Sequence, residues 1–135
     1  MTKPLSDDGY RALARFRYAL RRFQRFSEMA ARESGLTPAQ HQLLLAIRGY
    51  DGQGPPSLTT VAELLQLRLH SVGELVSRAE ANGFINRWAD PGDGRRTLLA
   101  LTSQGESMLA GLSLQHRDEL RRFRREMNDV LRELD

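Results

Sequence analysis

The stretch VAELLQLRLHSVGELVSRAEANGFINR, residues 61–87, decides the architecture. Thr60-Val61-Ala62-Glu63 has the form of a capping box, in which a hydroxyl and a carboxylate each satisfy a backbone N–H at a helix start. It predicts a short helix to about Gln66. After a three-residue break, Leu69, Val72, Leu75, Val76 and Ala79 recur at the spacing of an apolar helix face. Asn82-Gly83 ends that helix. Phe84-Ile85-Asn86-Arg87-Trp88 then alternates like a strand, and Thr97-Leu98-Leu99-Ala100-Leu101 forms a second. The turn-rich DPGDGRR (90–96) between them predicts a hairpin with a long loop. A short helix, a brief turn, a second helix and a hairpin read as a helix-turn-helix followed by a wing, an order that points to duplex DNA.

The flanking sequence is helical. Over residues 9–33, Leu13, Phe16, Leu20, Phe23, Ser27 and Ala30 recur every three or four positions, with Tyr10, Tyr18 and Phe26 widening the stripe. Ser34-Gly35 ends this helix. Thr37-Pro38-Ala39-Gln40 opens the next, with Thr37 and Gln40 as a capping box and Pro38 at the first helical position. Leu43, Leu44 and Ile47 supply its buried side, and residues 49–57 (GYDGQGPPS) form a loop. Ser103-Gln104-Gly105-Glu106 caps a helix running to around residue 122, and a last helical stretch covers about 125–134. Arg121, Arg122, Arg124 and Arg125 between them either kink the junction or lie on a solvated face.

Composition narrows the function. The 135 residues are 40% hydrophobic and 27% charged, within the range of a single globular domain. No apolar run approaches the ~20 residues that span a bilayer. MTKPLSDDGY has no apolar stretch behind Lys3, so the expectation is a cytoplasmic protein without a signal peptide. The absence of cysteine excludes disulfides, thiolate chemistry and cysteine zinc sites. His41, His70 and His116 are far apart in sequence, no HExxH occurs, and no metal or cofactor is expected. No Ser-His-Asp pattern, P-loop or GxGxxG stands in a credible context, so an enzyme is not expected; Gly52-Gln53-Gly54 lies in a polar loop with no strand before it.

The net charge is +3, and 19 of the 20 basic residues are Arg, Lys3 being the exception. Arginine suits phosphate and groove recognition, although a GC-rich genome produces the same bias. Residues 1–35 carry 8 basic and 4 acidic groups, whereas residues 68–96 carry 5 and 4. Charge alone therefore does not mark a DNA face.

Residues 60–105 resemble the multiple-antibiotic-resistance regulator (MarR) family of winged-helix repressors. The resemblance rests on residues 61–87, on DPGDGRR and on LLALTSQG (98–105), with an Asp-x-Arg wing tip (Asp93, Arg95) and a Leu-Thr-x-x-Gly strand end (Leu101, Thr102, Gly105). Leu36, Thr37 and Gln40 match the start of the second helix, and the likeness extends over about residues 8–134. It implies a mainly α (α+β) fold: one domain over 1–135, with a winged-helix DNA-binding portion at 36–102. Helices at 8–34 and 103–135 would form a dimerisation region. It also implies a homodimer on a pseudo-palindromic operator, usually as a repressor. The wide apolar stripes flanking the winged helix agree, because they need a surface to cover them.

The helix from about Leu69 to Gly83, about 21 Å long, would cross the major groove. Its outward side offers Arg68, His70, Ser71, Glu74 and Arg78. Arg68 and His70 donate to guanine or phosphate, Ser71 bonds either, and Arg78 lies where a phosphate is the better partner. Glu74 has two readings: it accepts from a cytosine amino group, or it completes a capping box Ser71-Val72-Gly73-Glu74 that starts the helix later. At the wing, Arg95 is suited to the minor groove. The resemblance implies that Asp93 braces the wing and positions Arg95; Arg96 contacts phosphate or points away.

Relatives of this kind often release DNA when a small aromatic or phenolic anion binds, and Tyr18, Arg22, Phe26 and His41 are the candidate lining here. The competing class is a winged helix used for protein binding without specific DNA recognition, favoured by Glu74 and the thin net charge of 68–96.

Overall fold

A computed structural model describes residues 3–134; the outermost positions of the expected domain, residues 1, 2 and 135, lie outside the described residues. Among the described residues, five helices and one antiparallel hairpin follow in the order α1 (Asp7–Glu33), α2 (Pro38–Arg48), α3 (Leu58–Leu65), α4 (Leu69–Ala81), β1 (Ile85–Asp90), β2 (Asp93–Leu101) and α5 (Ser103–Leu134). The fold is the expected one, α-helical with a two-stranded wing.

Local chemistry sets most boundaries. Ser6 caps α1 by accepting from the Gly9 N–H at 3.1 Å, with Asp7 and Asp8 beside the positive helix end. Gly35 takes φ +90°, and the Leu36 N–H returns to the Ala31 carbonyl, so α1 closes as Leu36 enters the core. Both halves of the Thr37–Gln40 box form, at 3.1 and 3.2 Å.

Four expectations change. The short helix α3 begins at Leu58, because Ser57 rather than Thr60 is its cap and accepts from the Thr60 N–H at 3.1 Å. Helix α5 is capped by Thr102, whose hydroxyl accepts from the Gly105 N–H and donates to the Gly83 carbonyl at 2.6 Å. That helix then runs unbroken for 32 residues. Its arginine cluster causes no kink, since Arg121 and Arg122 pair with Asp118 and Glu119 one turn back along an exposed face. The hairpin loop is also short: Pro91 and Gly92 make the turn, with the Asp90 carboxylate accepting from the Gly92 N–H at 2.9 Å. Ala89 opposes Thr97 and Asp90 opposes Asp93, so Gly94, Arg95 and Arg96 bulge from β2.

The core joins α2, α3, α4 and the hairpin through Leu43, Leu44, Val61, Val72, Val76 and Leu99. The hairpin is tied in by the segment before α3: Ser57 bridges to Leu98, and the Leu99 N–H donates to the Pro56 carbonyl. Only the C-terminal half of α1 reaches this core, through Ala30 and Ala31. The length of α1 ahead of those two residues lies along α5, with Arg15 paired to Glu133 and Arg22 to Glu126. Much of the expected apolar stripe is therefore not core. Leu13, Tyr10 and Tyr18 on α1 are exposed, as are Leu120 and Leu131 on α5.

Candidate nucleic-acid interface

Helix α4 presents its apolar side, Val72, Val76 and Ala79, to the core and its polar side to solvent. The turn feeding it is tight. Gln66 ends α3 at φ +55°, and its side chain donates to the Glu63 carbonyl at 2.8 Å, which offsets part of the cost of a left-handed non-glycine residue. Arg68 is the first residue outside α4 and gives it no side-chain cap. The helix starts at Leu69, so the Ser71–Glu74 box does not form. Glu74 instead lies 3.3 Å from His70 Nε2, one turn back. Arg68, His70, Ser71, Glu74 and Arg78 are all exposed along this side.

At the wing, Arg95 is the more solvent-exposed partner of a pair with Asp93, its side chain 93% accessible. The Asp93 Oδ1 accepts from both the backbone N–H of Arg95 and its Nε, at 3.2 and 3.3 Å. This holds the start of the arginine side chain and leaves its terminal nitrogens outward. Arg96 Nη1 reaches back to Asp90 at 3.2 Å. One further pair was not legible beforehand: Arg87 on β1 lies 3.1 Å from Glu80 on α4. The seven-residue spacing crosses a turn and a strand start, so no helix or strand periodicity marks it.

The recognition helix and the wing thus lie on one module, with cations interleaved with carboxylates. The four residues considered for a ligand do not come together. Tyr18 and Arg22 stack, with the guanidinium 5.5 Å from the ring centre, and line a cavity of about 640 Å³ between α1 and α5 that also includes Val130. Phe26 and His41 instead flank His116, deeper in the chain. His41 is buried, and burial together with the neighbouring His116 holds its pKa below the ordinary 6.5. A separate groove of about 480 Å³ runs between α1 and α2, lined by Leu20, Phe23, Gln24, Ser27, Pro38 and Gln42 among others.

A short helix and a recognition helix at a tight turn, backed by a hairpin, define a winged helix-turn-helix protein. The model of the MarR family matches residues 34–96 of this chain. Over 65 residues the chain is 32% identical to the HTH-type transcriptional regulator YxaD of Bacillus subtilis, a match spanning 48% of this chain and 46% of that protein. A mutant MarR from E. coli solved with operator DNA superposes with a TM-score of 0.68 at 18% identity, covering 79% of this chain and 75% of that one. BpsR of Bordetella bronchiseptica, whose DNA binding is regulated by 6-hydroxynicotinic acid, superposes with a TM-score of 0.64 at 25% identity, covering 79% and 74%. No helix among the described residues is long and apolar enough to cross a membrane.

Proposed function

We propose that this chain is a sequence-specific, double-stranded-DNA-binding regulator of transcription that acts in the cytoplasm as a homodimer, and that it is a repressor. The observation carrying this reading is the pairing of the exposed polar side of α4 with an outward Arg95 on the same module. A helix of that length fits the major groove, and an arginine on a narrow hairpin fits the adjacent minor groove. Arg68, His70 and Ser71 sit at the helix start, where base edges are met, and Arg78 and Arg96 lie where phosphate is the nearer partner. The E. coli MarR structure solved with operator DNA shares this fold and supports the DNA reading.

The uncovered apolar side chains of the two long helices, Tyr10 and Leu13 on α1 and Leu120 and Leu131 on α5, support the homodimer. A second copy would cover them, and twofold symmetry would then set two recognition helices about one DNA turn apart. A small aromatic ligand is proposed as the effector, as BpsR illustrates. The α1/α2 groove suits it better than the four residues singled out from the sequence, because it touches both a long helix and the winged-helix body.

One observation favours a second reading, a winged helix that binds protein: Glu80, Asp90 and Asp93 each sit beside an arginine of the interface, and Glu74 sits beside His70. Selection of duplexes from a random pool at moderate salt, followed by a salt titration, separates the two. A palindromic motif with half-sites about 10 bp apart and affinity falling steeply with salt supports the DNA reading. No enrichment at any salt would shift the function to protein binding.

A further inference from the structure

We infer that the notch between α4 and β1 is a phosphate-backbone seat, in which Arg87 contacts the DNA strand and Glu80 positions Arg87. The inference rests on the DNA-binding reading above. With a recognition helix in the major groove and a wing in the neighbouring minor groove, the single phosphodiester strand between those grooves must pass between helix and wing. In this chain that place is a shallow, open notch of about 540 Å³, lined by His70, Gly73, Glu74, Ser77, Arg78 and Arg87.

Its chemistry suits a phosphodiester. Arg78 enters from the helix side and has no ion-pair partner among the described residues, while Arg87 enters from the strand side. Arg87 approaches Glu80 through Nε, at 3.1 Å, with the two side chains 37% and 39% exposed. That leaves the two terminal guanidinium nitrogens to meet a phosphate with two parallel bonds, a geometry the planar fork of arginine provides and a point-like ammonium does not. At Gly73 nothing lies within 4 Å of where a Cβ would stand, so this part of the wall is open. Glu74 also lines the notch, with its carboxylate 3.3 Å from His70 Nε2 one turn back toward the helix start. Glu80 is thus a positioning residue: it ties the strand-borne arginine to the recognition helix, so that helix and wing meet the backbone as one body.

The test uses the full chain with two duplexes, the selected site and a scrambled one, across a salt series. For Arg87→Ala, the slope of log affinity against log salt should fall by about 0.9 per protomer, and both duplexes should weaken by a similar factor, on the order of tenfold. Arg87→Lys should restore the slope with incomplete recovery of affinity, and Glu80→Gln should weaken binding while leaving the slope in place. An unchanged slope in an Arg87→Ala protein that melts like the wild type would overturn the assignment and leave the DNA reading standing. A wild-type protein without salt-dependent binding to either duplex would remove both.

Discussion

The imidazoles of His41 and His116 lie 5.1 Å apart, centre to centre, where α1, α2 and α5 meet. His116 is bonded at both nitrogens: Nδ1 lies 2.7 Å from the Leu112 carbonyl and Nε2 lies 2.9 Å from the Ser27 hydroxyl. A carbonyl only accepts, so Nδ1 donates to Leu112, while Ser27 is the partner of Nε2. His41 has no such support, because its buried Nδ1 has no partner among the described residues. Phe23 and Phe26 wall His116 edge-on and bring no charge, and His116 is the neighbour whose charge acts on His41.

This pair makes stability depend on pH. Burial first, and His116 second, lower the folded-state pKa of His41 below 6.5, so the unfolded chain takes up a proton more readily than the folded one. The stability tied to a neutral His41 is complete above about pH 6.5 and is lost as pH falls below it toward the depressed folded value. One such proton gives a slope of at most about 1.4 kcal/mol per pH unit. Urea unfolding at stepped pH from 7.5 to 5 should show a steeper loss for the wild type than for His41→Asn; parallel curves would show that His41 is not the group responsible.

Two glycines should respond oppositely to alanine. A Cβ at Gly105 would stand 2.2 Å from the Phe84 carbonyl oxygen, a backbone atom that cannot swing away. Gly105→Ala should therefore lower the melting temperature, with a cost of about 1–3 kcal/mol. Gly73 lies mid-helix with open space at its Cβ position, so Gly73→Ala should stabilise by up to ~1 kcal/mol. Thermal melts of the two variants, side by side, check both signs.

At the wing tip, Arg95→Ala should weaken binding to the selected duplex at least about tenfold, or about 1.4 kcal/mol. Asp93→Asn should cost less, since it loosens the arginine without removing it. Fluorescence anisotropy at fixed salt ranks the two, and wild-type affinity in Arg95→Ala would take the wing out of the mechanism.

The exposed apolar side chains predict the assembly state. Leu120→Glu combined with Leu131→Glu places charges where a second copy would pack, and should convert a dimer to a monomer in light scattering. The winged-helix core involves neither residue and should keep its helical signal. A dimer surviving both changes would relocate the interface.

Much of this architecture is local and so could be read from the chain. The apolar spacing of Val72, Val76 and Ala79, the Thr37–Gln40 box and the left-handed Gly35 are each settled within one or two helical turns. The order of helix, turn, helix and hairpin followed directly, and with it the residues that face outward on α4. The Leu-Thr-x-x-Gly pattern stood out too, although its reason is not local: Thr102 bonds across to Gly83, and Gly105 leaves room for the Phe84 carbonyl.

What no spacing rule supplied were the contacts between elements distant in the chain. Arg87 meets Glu80 only because β1 folds back along α4. Ser57, rather than Thr60, caps α3 where the preceding segment pairs with β2 at Leu98. His41 and His116, 75 positions apart, become one buried pair only when three helices converge. Periodicity reports which face of an element is apolar; which partner covers that face, and which charges then become neighbours, depends on packing over the whole chain.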